Sequence, residues 1–94
     1  MDNALNDVND EEKREIDLRD IIPPRPREGW IKEIREALLM SQAQIAKRLG
    51  VHPSTISRSQ KAEIENTITI GRLEEIAEAL DCNLMYVFIP KKDI

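Results

Sequence analysis

The residues best suited to chemistry sit in one short stretch. Ser54, Thr55, Ser57 and Arg58 fall within five consecutive positions. On a helix that spacing presents three short hydroxyls and one forked cation close together. Such a set neither attacks a substrate nor holds a metal. It does match the edges of base pairs: an arginine fork bonds guanine O6 and N7 together, hydroxyls bond either strand, and a threonine methyl meets the thymine methyl. Catalysis has little else to draw on. His52 is the only histidine and Cys82 the only cysteine. No His-based triad, zinc cluster or internal disulfide can be assembled from them. The chain is therefore not expected to be an enzyme, and no cofactor or metal is expected.

The charge distribution agrees with an anionic partner for this stretch. The formal net charge is −4, but it is unevenly placed. Residues 1–28 hold nine acids and five bases, and residues 62–94 hold seven acids and three bases. Between them, residues 29–61 hold two acids against six bases: Lys32, Arg35, Lys47, Arg48, Arg58 and Lys61. A basic centre between acidic flanks is the footprint of nucleic-acid binding, or else a solvated helical surface. The longest apolar run, Leu84–Ile89, is six residues, too short to span a membrane. The acidic start lacks the basic and apolar regions of a secretory signal. No membrane association and a cytoplasmic location are expected.

The elements that must position these side chains can be read from periodicity and punctuation. Residues 1–10 are expected to be disordered. Residues 11–22 predict a short helix capped by Asp10, with Ile16, Leu18, Ile21 and Ile22 as its contacts. Pro23, Pro24 and Pro26 then impose an extended linker. Three segments follow: an acidic tail over 1–28, a folded domain over 29–81, and a C-terminal strand and tail over 82–94. Trp30, Ile31, Ile34, Ala37 and Leu38 predict a helix over 30–39, with Trp30 as a core anchor rather than a stacking platform. Ser41 and Gln44 form a capping box for a second helix over 42–49, which buries Ile45, Ala46 and Leu49 and ends at Gly50. Pro53 opens a third helix over 53–60 that buries Ile56. Residues 62–69 predict a loop. Thr69 caps a fourth helix over 70–80, with Ile70, Leu73, Ile76, Ala77 and Leu80 as its buried stripe. Leu84–Ile89 predicts a strand stopped by Pro90. Cys82 is expected to be a small, partly buried filler.

Two short helices joined at Gly50 must cross steeply and closely. Ala46 supplies the small residue at the crossing, Gly50 the positive φ of the turn, and Val51 and Ile56 fill the angle. That is helix-turn-helix geometry, with the second helix of the pair projecting and polar. On Ala46, Gly50 and the run Thr55-Ile56-Ser57-Arg58, residues 30–80 resemble the Cro/C1-type (Xre) regulators. The resemblance implies a mostly all-α fold, a compact lambda-repressor-like domain of four to five helices. Gly29–Ser41, with the proline-rich approach before it, resembles the mobile mystery protein A group, usually encoded beside a Fic-domain protein. The helix 70–80 followed by the strand 84–89 is similar to HipB-type antitoxins, whose C-terminal strands pair across a dimer. Together these imply an autoregulating antitoxin whose cognate toxin is of the Fic or HipA-kinase type. Ser59 and Gln60 depart from the Xre pattern of a bulky apolar residue followed by Glu; Gln60 can still hydrogen-bond Arg35. Ser59 and Glu63 have the spacing of a Fic-inhibiting segment, but Ile64 follows instead of Gly or Asn, so no such segment is expected.

Each candidate then has a role and a rival. Arg58 reads guanine or touches only phosphate. Ser54 and Ser57 bond base edges or water. Thr55 meets phosphate or a thymine methyl. Gln42, in the first turn of its helix, joins free N–H groups at a phosphate. His52 and Lys61 are further phosphate contacts, and Lys47 and Arg48 contribute general electrostatics. A lone strand is not stable by itself, so Leu84, Tyr86 and Phe88 are expected to pair with a second copy, or else fold back onto their own helices. The expected partners are double-stranded DNA, a second copy and a toxin. The expected activity is sequence-specific repression from a palindromic operator. The rivals are a stand-alone regulator without a toxin and a protein-interaction module that has lost DNA binding.

Overall fold

The computed structural model describes residues 18–91, with side chains from residue 20. Among the described residues five helices run in order: α1 Leu18–Ile21, α2 Trp30–Ala37, α3 Gln42–Leu49, α4 Pro53–Ile64 and α5 Ile70–Ala79. Arg25–Tyr86 forms one unit; described residues 18–24 and 87–91 belong to a second. In the second unit only α1 is regular, and prolines follow it. The expected Asp10 cap, and most of the expected 11–22 helix, lie outside the described residues. Among the described residues no helix is long and apolar enough to cross a membrane.

Within Arg25–Tyr86, α3 packs against α4 and α5, and α2 against α4. Each of these four helices sends one isoleucine to the centre: Ile31, Ile45, Ile56 and Ile76. Ala46, Ala79 and Leu80 complete the buried set, with Ile34, Leu49, Val51, Ile68 and Leu73 packed around it. Ala46 sits where α3 meets its neighbours, and a larger side chain there would hold the helices apart.

All four helices of this unit end by one device. Each closes with a residue in the left-handed conformation: Leu39 (φ 57), Gly50 (φ 70), Asn66 (φ 61) and Asp81 (φ 57). In each case the next N–H reaches back five residues: Met40 to Arg35 O, Val51 to Ala46 O, Thr67 to Ala62 O and Cys82 to Ala77 O, at 2.8–2.9 Å. This is the Schellman closure, which satisfies carbonyls that a helix end leaves over. Glycine adopts the conformation without penalty, and Asn and Asp tolerate it. Leu39 does not, and its side chain is 89% exposed. Leu39→Gly should therefore stabilise the fold by about 0.5–1 kcal/mol, because the strain it removes exceeds the chain entropy that glycine adds. Thermal unfolding measures this directly; a lowered midpoint would mean that the leucine side chain makes a contact worth more than its strain.

Several expectations are corrected. Trp30 is 38% exposed and is not a core anchor; Ala37, Leu38 and Ile70 are also exposed. Helical spacing tells which residues share a face, not whether another element covers it. The helix expected over 53–60 is α4 and continues to Ile64, four residues beyond the expected end, and Ser59 is buried on it. The loop shrinks to 65–69, where Ile68 turns toward the core while Ile64 stays exposed. No strand forms among the described residues: the 82–90 run has no ladder. A ladder takes two strands, and the described residues offer this run no second one. Cys82 is half-buried, as expected of a filler. Beside the 84–86 segment lies a cavity of about 690 Å³, lined by Trp30, Ile34, Leu73, Ala77, Leu84 and Met85 among others.

Candidate nucleic-acid interface

The first contribution is the start of α3. Ser41 Oγ accepts from Gln44 N (3.1 Å), and Gln44 Oε1 accepts from Ser41 N (2.7 Å). This reciprocal box holds the first turn rigidly and leaves the Gln42 and Ala43 N–H groups over. Free N–H groups at a helix start carry partial positive charge and suit a phosphate. Gln42 itself is half-buried, at the helix's first position. The far end of α3 is closed by Gly50 in the left-handed conformation, so the chain turns at once into α4.

The start of α4 has an unusual cap. His52 Nδ1 accepts from Ser54 N at 3.1 Å and lies 2.9 Å from Ser54 Oγ. Accepting a hydrogen bond requires Nδ1 to be bare, which places the ring proton on Nε2. The expected phosphate role of His52 is thus joined by a structural one. The ring holds the first turn through Nδ1, and its Nε2–H makes no bond among the described residues. Pro53 occupies the first helical position, where its missing N–H costs nothing.

Beyond the cap, α4 is divided lengthwise. Ile56, Ser59 and Glu63 form its buried face. Ser54, Ser57, Arg58 and Lys61 lie on the opposite, exposed face. Arg58 is folded back along its own helix, with Nη1 donating to Ser54 Oγ and Nη2 to Thr55 Oγ1, both at 3.3 Å. His52, Ser54, Thr55 and Arg58 therefore make one hydrogen-bonded cluster. Its two arginine bonds are long and exposed, so they orient the guanidinium and release it cheaply. Ser57 and Lys61 make no side-chain bond among the described residues, and neither does Lys47 on α3. The residue expected to read a base, Arg58, and the expected phosphate contacts Lys47 and Lys61 are thus on the surface.

The other bases of the central stretch are committed elsewhere. Arg48 Nη1 donates to Ala79 O at 2.6 Å and lies 3.5 Å from Asp81 Oδ2, so it caps the end of α5 rather than adding general charge. Arg35 Nε donates to Gln60 Oε1 (3.1 Å) and Nη1 to Met40 O (3.0 Å); the amide takes the place of the missing carboxylate. Lys32 Nζ lies 2.7 Å from Glu28 Oε1. That hydrogen bond and the charge attraction hold the Glu28 carboxyl below its ordinary range and the Lys32 ammonium above its own. What remains for an anionic partner is Lys47, Arg58 and Lys61, all within the stretch that the charge distribution singled out.

Sequence reasoning missed one buried group. Glu63 is only 5% exposed. Its Oε2 accepts from Trp30 N at 2.7 Å and its Oε1 from Ile31 N at 3.0 Å. It caps α2 from a helix more than thirty residues away. The signal was present in Gly29, which stands at the N-cap of α2 and has no side chain to serve it. Arg25 acts in the reverse direction, donating from Nη1 to Glu63 O (2.7 Å) and Asn66 Oδ1 (2.8 Å) and from Nη2 to Ile64 O (3.4 Å). These carbonyls explain how α4 extends to Ile64.

The expected strand residues are placed as follows. Leu84 is half-buried, while Tyr86 and Phe88 are 67% and 93% exposed. Among the described residues no group of three or more His, Cys, Asp or Glu could hold a metal ion. A helix-turn-helix family model matches residues 31–87, more than half of the chain. No curated protein matches the chain, and no solved structure does.

Proposed function

The chain belongs to the Cro/C1-type helix-turn-helix family, a family of regulators that bind double-stranded DNA and not one of enzymes, and from that premise we propose that it is a dimeric repressor reading a pseudo-palindromic operator. The carrying observation is the division of α4: Ser54, Ser57, Arg58 and Lys61 on an exposed face opposite the buried Ile56, Ser59 and Glu63. In this reading α4 enters the major groove. Arg58 leaves Ser54 and Thr55 and takes guanine O6 and N7. Ser54, Thr55 and Ser57 contact neighbouring base edges. Gln42, with the first N–H groups of α3, seats a phosphate; His52 Nε2, Lys47 and Lys61 hold others and set the register. Two copies joined through Leu84, Tyr86 and Phe88 place two such helices about 34 Å apart, one helical turn of DNA.

Selection of bound DNA from a random pool tests this, and recovery of an inverted repeat is the expected result. On the recovered site, Arg58→Ala should cost about 1–3 kcal/mol of binding and relax the preference at a single base pair per half-site. Lys61→Ala should weaken all sequences alike and lower the salt slope by about one. An Arg58→Ala protein with unchanged base preference would remove Arg58 from base reading.

At a finer level we propose that the chain is an antitoxin that represses its own promoter. The resemblance of the α2 region to mobile mystery protein A and of the C-terminal region to HipB-type antitoxins supports this. Its partner would then be a Fic-domain or HipA-type toxin encoded alongside. Glu63 is buried at the α2 N-terminus, so it is not presented as a Fic-inhibiting glutamate would be, and such a toxin would engage another surface.

A further inference from the structure

Arg25 precedes the region matched by the family, yet its side chain makes three hydrogen bonds at the end of α4. Its guanidinium satisfies Glu63 O and Ile64 O at the end of α4 and the side chain of Asn66 just beyond. The carboxylate of Glu63 in turn takes the first two N–H groups of α2. One residue of α4 is therefore held twice, through its carbonyl from Arg25 and through its side chain by α2. The Glu63 side chain lies on the face of α4 away from Ser54, Ser57 and Arg58, and Arg25 sits at the C-terminal end of the helix.

The two ends of α4 are secured by different means. The N-terminal half is fixed by the His52 cap, by Ile56 at the centre of the core and by the crossing with α3. The C-terminal half rests on α2; the polar part of that attachment is Glu63 with Arg25, together with Gln60, which accepts from Arg35 Nε. A helix fixed firmly at one end and released at the other pivots. Arg58 lies between the two attachments, so a pivot displaces its fork relative to the guanine edge. Bidentate hydrogen bonds tolerate little displacement.

We infer that Arg25 and Glu63 are positioning residues of the DNA interface, setting the tilt at which α4 presents Arg58. The inference rests on the reading of α4 as the DNA-reading helix. It makes Arg25–Gly29 part of the reading head and not merely a connection to it. Neither residue contacts DNA; they act through α4.

The test uses the full chain and the operator recovered from the random pool. Arg25→Ala removes an exposed side chain, so folding is retained, and Glu63→Gln keeps the shape of the cap but weakens it. Specific and non-specific affinities are measured at several salt concentrations, well below the melting midpoint. Emission of Trp30, the sole tryptophan, reports on the start of α2. Arg25→Ala should weaken operator binding about tenfold. Non-specific binding and the salt slope should stay unchanged, because no phosphate contact is lost. Arg25→Lys should restore part of the loss. Glu63→Gln should weaken operator binding and shift the Trp30 emission. The double variant should lose less than the sum of the two single losses, since both act on one pivot. Ile76→Val, a core substitution on α5 that alters neither the Arg25 nor the Glu63 hydrogen bonds, should lower stability and leave affinity of the folded protein intact. The inference is overturned if Arg25→Ala binds the operator within twofold of wild type. It is also overturned if the salt slope falls by about one, which would make Arg25 a phosphate contact. Equal loss of affinity in Ile76→Val would likewise overturn it, by reducing the effect to stability. A wild-type chain that recovers no DNA would overturn the reading of α4 itself, and the inference with it, a result distinct from wild-type binding with indifferent variants.

Discussion

Gly29→Ala should destabilise the protein by about 3 kcal/mol, lowering its melting midpoint by roughly 12–24 °C for a domain of this size. Two separate costs add at this position. Gly29 has φ 89 and ψ 159, a region that is essentially reserved for glycine. A Cβ built there would also lie 2.6 Å from Glu63 Oε1 and 2.9 Å from Glu63 Cδ. The carboxylate would have to withdraw, and the two N–H groups at the start of α2 would lose their acceptor in a buried site. Gly50→Ala supplies the internal comparison. Gly50 is also at positive φ, but nothing lies within 4 Å of its added Cβ. Only the conformational cost applies there, about 1–2 kcal/mol. The collision can be isolated in a Glu63→Ala background. There Gly29→Ala should cost clearly less than in the wild type, because the obstructing carboxylate is gone. Identical costs in the two backgrounds, measured by thermal or urea unfolding, would show that Glu63 does not approach Gly29 in solution.

That coupling also marks where sequence reading stops. Devices that close within a few residues were legible. Ser41 with Gln44, Gly50, Pro53 and Thr69 fix helix ends through contacts between near neighbours, and residue type alone suffices. The buried positions Ile31, Ile45, Ala46, Ile56, Ile76 and Leu80 were legible because helical period places them on faces that the fold does cover. Trp30, Leu38 and Ile70 obey the same period and are exposed, since coverage depends on neighbours the period does not encode. Glu63 was illegible for a different reason. A charged residue on a helix usually belongs to water, and only the arrival of the α2 N-terminus, free of its own cap, makes burial favourable. Arg48 likewise looks like surface charge until the end of α5 comes beside it. In the candidate interface, residue types and the shared face of α4 were legible, whereas the back-bonding of Arg58 and the capping role of His52 needed coordinates.

Phe88→Glu should convert the proposed dimer to a monomer and lower operator affinity by roughly 10²–10⁴-fold, the scale lost when two linked contacts become one. Past the Cys82 N–H, which donates to Ala77 O, the apolar run to residue 90 has no ladder partner among the described residues. An exposed, unpaired and apolar edge invites another strand. Tyr86 and Phe88 are both exposed, and in an extended strand these alternate positions would share one face. A second copy offers the same sequence, and antiparallel pairing about a two-fold axis satisfies both edges at once. Glutamate at position 88 puts an anion on each copy of that face, and like charges across a two-fold axis repel. Because Phe88 is 93% exposed, the substitution removes no core contact. The helices should therefore melt as in wild type once the wild-type value is extrapolated to low concentration, which separates lost assembly from lost folding. Sedimentation should give half the wild-type mass, and the remaining DNA binding should show a single half-site with about half the salt slope. A wild-type chain that sediments as a monomer at concentrations that saturate the operator would sink this account. Each α4 would then have to reach its site without a partner to hold the spacing.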